Sequence, residues 1–251
     1  MPPIRKGDGT PVTPKGISQV RTGDGRILFD GVAIPDSVEA QWDATQLALS
    51  DGQTVDPFDD SIGTADLPAS ESPTYDPDGI NGESAVFYDG VDDAHLGSGL
   101  GLSTASGEFT VFAVVDAATS DGRAYNIMSD EDGGLQLRYD EGEIFYRSDD
   151  GSTDQTVTLS LSTSPEIVSV RISNGGETVE AWVDGDFQGD STATVGGWGV
   201  VDNVRLGDVG TDPVLPLEGN LGEVVYHNAA LSPSDRSDEE QRLANKFGIS
   251  L

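Results

Sequence analysis

The 251-residue chain carries 45 aspartates and glutamates but only two histidines, so any chemistry it performs would rest first on carboxylates. The reaction that paired carboxylates serve is glycoside hydrolysis. It needs two of them on one face, about 5–5.5 Å apart, as nucleophile and acid. Along a strand, two side chains share a face when they are two residues apart. Glu141-Gly142-Glu143 reads as a turn, Glu177 and Glu180 have opposite parity, and Glu223 stands alone on its strand. Acids are so frequent that random pairs carry no information. The expectation is a protein that is not an enzyme, with a glycoside hydrolase as the third reading.

The histidines offer little more. His95 follows the Asp92-Asp93 turn and His227 ends a strand; neither lies in a Gly-x-Ser-x-Gly elbow, and no His-x-x-x-His spacing points to zinc. Calcium takes six to eight oxygens from carboxylates and loop carbonyls. Acidic loops at 89–93, 130–133 and 149–154 could contribute them, although none matches the twelve-residue helix-flanked calcium loop. Among these, Asp92 and Asp93 are the candidate calcium ligands, with a structural turn as the competing reading. Glycan binding would use an exposed aromatic plate with Asp, Asn or Gly groups for the hydroxyls. Trp42 and Trp182 lie among apolar strand neighbours and read as core. Trp198, in Val195-Gly196-Gly197-Trp198-Gly199-Val200, is the candidate plate.

The elements that must hold such residues follow from composition. Hydrophobic residues make up 35% of the chain, with 32 Gly and 13 Pro, which suits many short strands and turns. The formal net charge is −32, with 31 Asp, 14 Glu and only three Lys (Lys6, Lys15, Lys246). Phosphate repels such a surface, which excludes nucleic acid, and an anionic bilayer does the same. Seventeen aromatics in alternating apolar runs indicate a folded chain despite the acidity. Self-repulsion at this charge calls for concentrated salt, where the Debye length falls to about 3 Å at 1 M. No cysteine is present. The start Met1-Pro2-Pro3-Ile4-Arg5-Lys6 lacks the apolar stretch of a signal peptide, and no apolar run is long enough to span a bilayer, so a soluble protein without membrane insertion is expected.

Residues 1–36 read as an N-terminal arm and 37–251 as the body. Gly7-Asp8-Gly9 and Gly23-Asp24-Gly25 are two similar tight-turn signals sixteen residues apart, each flanked by β-formers. Residues 1–28 carry +3 and the remainder −35. Charge is a poor glue in concentrated salt. The arm is therefore expected to anchor the chain through Ile27, Leu28 and Phe29 more than through Arg5, Lys6 and Arg21. In the body, strands are predicted at 38–43, 84–89, 109–115, 125–128, 135–139, 143–147, 157–161, 167–172, 178–183, 203–206 and 223–226. With no βαβ rhythm, they make an antiparallel sandwich. One helix closes the chain: Ser232-Pro233 is a cap and favoured first residue, acids fill the first turns, Arg242 and Lys246 the last, and Gly248 stops it. Leu243 and Phe247, four apart, should pack on the sandwich.

The order of motifs in the body, Ala40-Gln41-Trp42-Asp43, Asp78-Gly79-Ile80-Asn81-Gly82, Phe87-Tyr88-Asp89-Gly90-Val91-Asp92-Asp93, Glu180-Ala181-Trp182-Val183-Asp184-Gly185 and Gly222-Glu223-Val224-Val225-Tyr226 with the closing helix, resembles a concanavalin A-like (laminin-G-like) jelly roll. The resemblance covers about residues 37–251. It implies an all-β, two-sheet antiparallel sandwich, often glycan-binding. The arm and the acidity further resemble structural proteins of tailed viruses of haloarchaea. The leading expectation is a virion structural protein of a halophilic archaeal virus, displayed on the particle surface as turret, decoration or tail-fibre component. It would form homo-oligomers, contact other virion proteins through the arm, and meet a host surface glycan as a further duty. The alternative is a glycan-binding module of a halophile cell-surface protein.

Overall fold

The run Phe109–Ala117 is buried along its first seven residues, on both parities, so this strand needs an apolar layer on each side. The fold supplies both. The computed structural model describes residues 20–21, 27–29, 37–117, 125–129, 135–140, 143–147, 154–159, 165–193, 200–208 and 216–251. The chain divides into two units, residues 1–36 and 37–251. In the first, β1 (Val20–Arg21) pairs antiparallel with β2 (Ile27–Phe29), and the second Gly-Asp-Gly lies in the sequence between them.

The second unit opens with β3 (Val38–Asp43), β4 (Ala69–Ser70), β5 (Thr74–Ile80), β6 (Glu83–Asp89) and β7 (Ala94–Gly97). It continues through β8 (Leu102–Ser103), β9 (Phe109–Ala117), β10 (Tyr125–Ser129), β11 (Leu135–Asp140), β12 (Glu143–Arg147) and β13 (Asp154–Thr158). Then come β14 (Glu166–Ser173), β15 (Thr178–Val183), β16 (Asp186–Thr192), β17 (Val200–Val201), β18 (Val204–Leu206), β19 (Glu218–His227) and the helix α1 (Pro233–Phe247).

One sheet runs β16-β15-β14-β9-β19-β6-β5, with β3 also paired to β19; the other runs β13-β12-β11-β10-β18-β7-β4. All pairings within the two sheets are antiparallel. Between the sheets lies a core containing Trp42, Tyr88, Phe109, Val111, Ala113, Val115, Met128, Val170, Leu206, Leu221 and Tyr226. This is the antiparallel jelly-roll sandwich with one C-terminal helix that the sequence predicts.

A second apolar cluster covers the outer face of the eight-stranded sheet. Ile80, Ala85, Phe112, Val114, Ile167 and Val225 pack there against Leu243, Ala244 and Phe247 of α1. The i, i+4 pair Leu243 and Phe247 therefore docks as its spacing predicts. Ser232 caps the helix, its Oγ accepting from Asp235 N at 3.2 Å; Pro233 begins it; and Gly248, at φ 65°, ends it by donating to Ala244 O.

Ion pairs pin the same helix to the sheet. Gln41 Nε2 and Arg242 Nη2 donate to Glu223 Oε1 at 2.6 and 2.5 Å, and Lys246 Nζ donates to Glu223 Oε2 and Asp43 Oδ1, both at 2.6 Å. Arg242 also holds Glu239 at 2.7 Å. Burial alone would raise the pKa of Glu223, but Arg242 and Lys246 overcome it and hold the carboxyl down at about 2. A second junction joins Glu240 to Ser169 at 2.5 Å and to Arg236, whose guanidinium lies 4.2 Å over the Trp182 ring.

Some strands differ from expectation. β13 lies three residues before the predicted 157–161, and β19 begins at Glu218 rather than Glu223. β4, β5, β7, β8, β16 and β17 fall outside the predicted strands. Asp76-Pro77-Asp78-Gly79 in β5 reads as a turn, yet Pro77 is tolerated because β5 is an edge strand needing no amide on its outer side. Edge strand β16 contains Gly189 and has no buried residue, so it lacks the apolar alternation that marks a strand.

Candidate functional site

The Asp92–Asp93 turn forms as a compact acidic corner. Asp89, Asp92 and Asp93 each bring a carboxylate oxygen within 4.8 Å of the others. The oxygens of Asp93 are engaged: Oδ1 accepts from Ser72 N and Oδ2 from Asp89 N, each at 3.0 Å. Asp89 Oδ1 accepts from Val91 N at 2.8 Å. Burial raises the pKa of Asp93, against the pull of those two amides. Three carboxylates provide only part of the six to eight oxygens calcium takes. The corner closes a turn on its own amides, and its three carboxylates stand close enough together to share a cation.

Both histidines are buried and engaged. His95 Nε2 meets Val55 O at 2.8 Å, so it must donate; Nδ1 then accepts from Tyr88 Oη at 2.8 Å. His227 Nδ1 bonds Ser37 Oγ at 3.1 Å, and its ring meets Phe112 edge-on. Burial, chiefly, holds both pKa values at about 4. Glu223 is likewise sealed, beneath α1. Trp42 is core, with Nε1 donating to Ala65 O at 2.7 Å, and Trp182 is covered by Arg236 and Phe187. Trp198, Arg5 and Lys6 lie outside the described residues. Arg21 falls in β1, and Ile27, Leu28 and Phe29 form β2.

A different constellation stands on the outer face of the eight-stranded sheet, just past the ground covered by α1. The helix shields Ala85 of β6 and Val114 of β9. Two residues further along each strand, on the same face, come Phe87 and Asp116. Asn220 of β19 sits between them, opposite both in register, and Thr74 of β5 extends the row beyond Phe87. Three inter-strand steps give the row a length of roughly 14 Å. Phe87 is 38% exposed, unusual for a large apolar side chain in a strand paired on both sides. Asn220 Nδ2 donates to Gly79 O at 3.2 Å, which fixes the amide against the sheet. An added Cβ at Gly79 would lie 2.8 Å from Ala85 Cβ and 3.1 Å from Asn220 Oδ1, so this close approach requires glycine. Burial raises the pKa of Asp116.

The row combines a flat apolar ring, an amide and a carboxylate on rigid strands. Such a set can stack on the C–H face of a sugar ring while exchanging hydrogen bonds with its hydroxyls. The sequence held one signal for it, because Phe87 falls on the outward parity between Val86 and Tyr88. The partners Asp116 and Asn220 are separated from it by 29 and 133 residues, and only the register brings them together.

No family model and no curated protein matches the chain. Solved structures do share its fold. Domain 4 of AbnA, a GH43 extracellular arabinanase from Geobacillus stearothermophilus, in complex with arabinotriose, superposes with a TM-score of 0.52 at 16% identity, over 80% of this chain and 97% of that one. The binding domain of botulinum neurotoxin serotype D gives 0.61 at 13% identity, over 87% of this chain and 56% of that one. The binding domain of Paraclostridial Mosquitocidal Protein 1 gives 0.57 at 15%, over 81% and 53%. The chain thus spans about half the length of these two binding domains. At these identities the likeness establishes the β-sandwich fold.

Proposed function

We propose that this protein is a carbohydrate-recognition sandwich that lays a glycan along the Phe87–Asn220–Asp116 row. The observation that carries the reading is the exposed Phe87 ring, in register with an amide and a carboxylate, on the part of the sheet the helix leaves open. The arabinotriose complex of a domain with this fold supports the choice of ligand class. A glycan array read with the full chain and with Phe87→Ala tests it. Losing a central aromatic anchor should weaken the bound glycan by about tenfold or more. Equal binding by both proteins would refute the site, and no binding to any glycan would refute the function.

The finer reading sets this module on the surface of a virus particle of salt-loving archaea, as turret, decoration or tail-fibre component in assembled copies. The net charge of −32 and the division of residues 1–36 from the body support it. So does the hairpin that carries Arg21, Ile27, Leu28 and Phe29. Incorporation of the chain into particles, and its loss on deleting residues 1–36, is the test.

A further inference from the structure

The other sheet carries a feature that the Phe87 row does not use. Val204 and Leu206 of β18 point into the sandwich core, so Arg205 between them projects from the outer face of the seven-stranded sheet. There it lines a cleft of about 170 Å³ with Leu96, Ser98 and Asn203. The volume lies below the usual range for drug-sized ligands and suits a single small ring.

Arg205 is only 7% exposed, and among the described residues its guanidinium is only partly engaged. Its one ionic partner among the described residues is Asp208, with Nη1 to Oδ2 at 3.5 Å, and Nε is buried without a partner. A guanidinium has five N–H donors in a planar fork, and leaving them unmade in a buried setting is costly. Among the described residues, Ser129 Oγ, opposite Arg205 on β10, donates to Asp208 O at 3.4 Å instead. A planar carboxylate is the complement that matches the fork with two parallel bonds. On a chain of net charge −32, a nearly enclosed cation of this kind is a specific place for an anion to enter.

We infer that the Arg205 cleft binds the carboxylate of an acidic monosaccharide, a uronic acid. Arg205 takes the carboxylate, Ser98 and Asn203 reach the ring hydroxyls, and Leu96 forms the apolar wall. The site lies on the opposite sheet from the Phe87 row and stands or falls without it.

The test is calorimetric titration of the full chain with glucuronate, glucose and acetate, at a salt concentration where it is folded. Glucuronate should bind at least tenfold more tightly than glucose or acetate. Arg205→Gln should weaken glucuronate by tenfold or more. Ser98→Trp, which blocks the cleft from an exposed position without touching Arg205, should do the same with the thermal midpoint kept. Phe87→Ala should leave glucuronate binding unchanged, which separates this site from the proposed glycan row. The inference is overturned if glucuronate does not bind, if glucose or acetate binds as well, or if a folded Ser98→Trp protein still binds it.

Discussion

Arg242 of α1 and Glu223 of β19 meet 2.5 Å apart, both buried, in the middle of the junction between helix and sheet. Lys246 on the other Glu223 oxygen and Glu239 on the arginine complete a connected network. Removing one member of a buried pair strands the charge of the other, typically at about 3–5 kcal/mol. Glu223→Gln should therefore lower the unfolding free energy by an amount in that range, read from a lower denaturant midpoint, since Arg242 and Lys246 lose their shared anion together. Phe247→Ala, on the same helix face, should cost a comparable ~3–5 kcal/mol through the cavity it leaves. An unfolding curve for Glu223→Gln that overlays the parent would show that the helix is held by its apolar contacts alone.

Acid should unfold the protein from a higher pH than carboxylate titration would give. His95 and His227 are held near 4, below the ordinary value of 6.5, chiefly by burial. A group lowered on folding is favourable while neutral. Its contribution is complete above pH 6.5 and fades as the pH falls from 6.5 through 4, by about 3 kcal/mol for each histidine. Glu223 has the same sign in a lower window, complete above 4.5 and lost as the pH falls through about 2. The stability difference between the parent and His227→Gln isolates one histidine from the changing net charge. That difference should narrow between pH 6.5 and 4; a constant difference refutes the assignment.

Glycan binding should carry its own pH signature. Burial raises the pKa of Asp116 above its ordinary 3.8. If its carboxylate accepts sugar hydroxyls, protonation removes an acceptor and affinity falls at a pH above 3.8. Asp116→Asn should abolish that fall while retaining part of the affinity. Affinity measured across pH 7 to 4 for both proteins decides the matter.

Salt should stabilise the fold. With net charge −32, screening shortens from about 10 Å at 0.1 M to about 3 Å at 1 M as salt is added. The thermal midpoint followed by circular dichroism is expected to drop on dialysis from ~3 M to ~0.1 M salt. A midpoint that stays put would remove the case for a halophile's surface.

Deleting residues 1–36 should leave the body folded, because residues 37–251 form a unit with its own two apolar clusters. Sedimentation of the shortened chain is expected to give a monomer. In the full chain, Ser at Ile27, Leu28 and Phe29 should disturb assembly more than Gln at Arg5, Lys6 and Arg21, since exposed charges are screened in concentrated salt. A body that still oligomerises like the parent excludes the arm as the anchor.

Much of the fold was legible because its signals are local. The cap Ser232-Pro233, the stop at Gly248 and the four-residue spacing of Leu243 and Phe247 describe a docked helix without reference to anything distant. The candidate sites were not legible in the same way. Asp93 is one acid among 45, read from the sequence as part of a turn, and only its distances to Ser72 N and Asp89 N show which amides it closes on. Phe87 and Asn220 become neighbours through the pairing of β6 with β19, and nothing near either residue announces it. Arg205 looks like an ordinary polar position in a short strand until its buried, unpartnered Nε is seen in three dimensions.

The double burial of β9 has a consequence for folding fidelity. In a strand with one wet face, a slip of one residue drives the whole apolar set into water and is rejected at once. Here Phe109, Val111, Ala113 and Val115 face the sandwich while Phe112 and Val114 face the helix, so a slipped strand would exchange one apolar set for another. Discrimination falls to the two polar residues near its ends. Thr110 Oγ1 donates to Ala229 O at 2.9 Å and accepts from Leu231 N at 3.0 Å, which ties this position to the segment leading into the helix. A slip would turn that hydroxyl into the sandwich without partners, at about 1–3 kcal/mol, and would press the Asp116 carboxylate inward behind it. One hydroxyl and one carboxylate thus proofread the central strand, and substituting both with valine should leave a chain that collapses readily but settles into mixed registers.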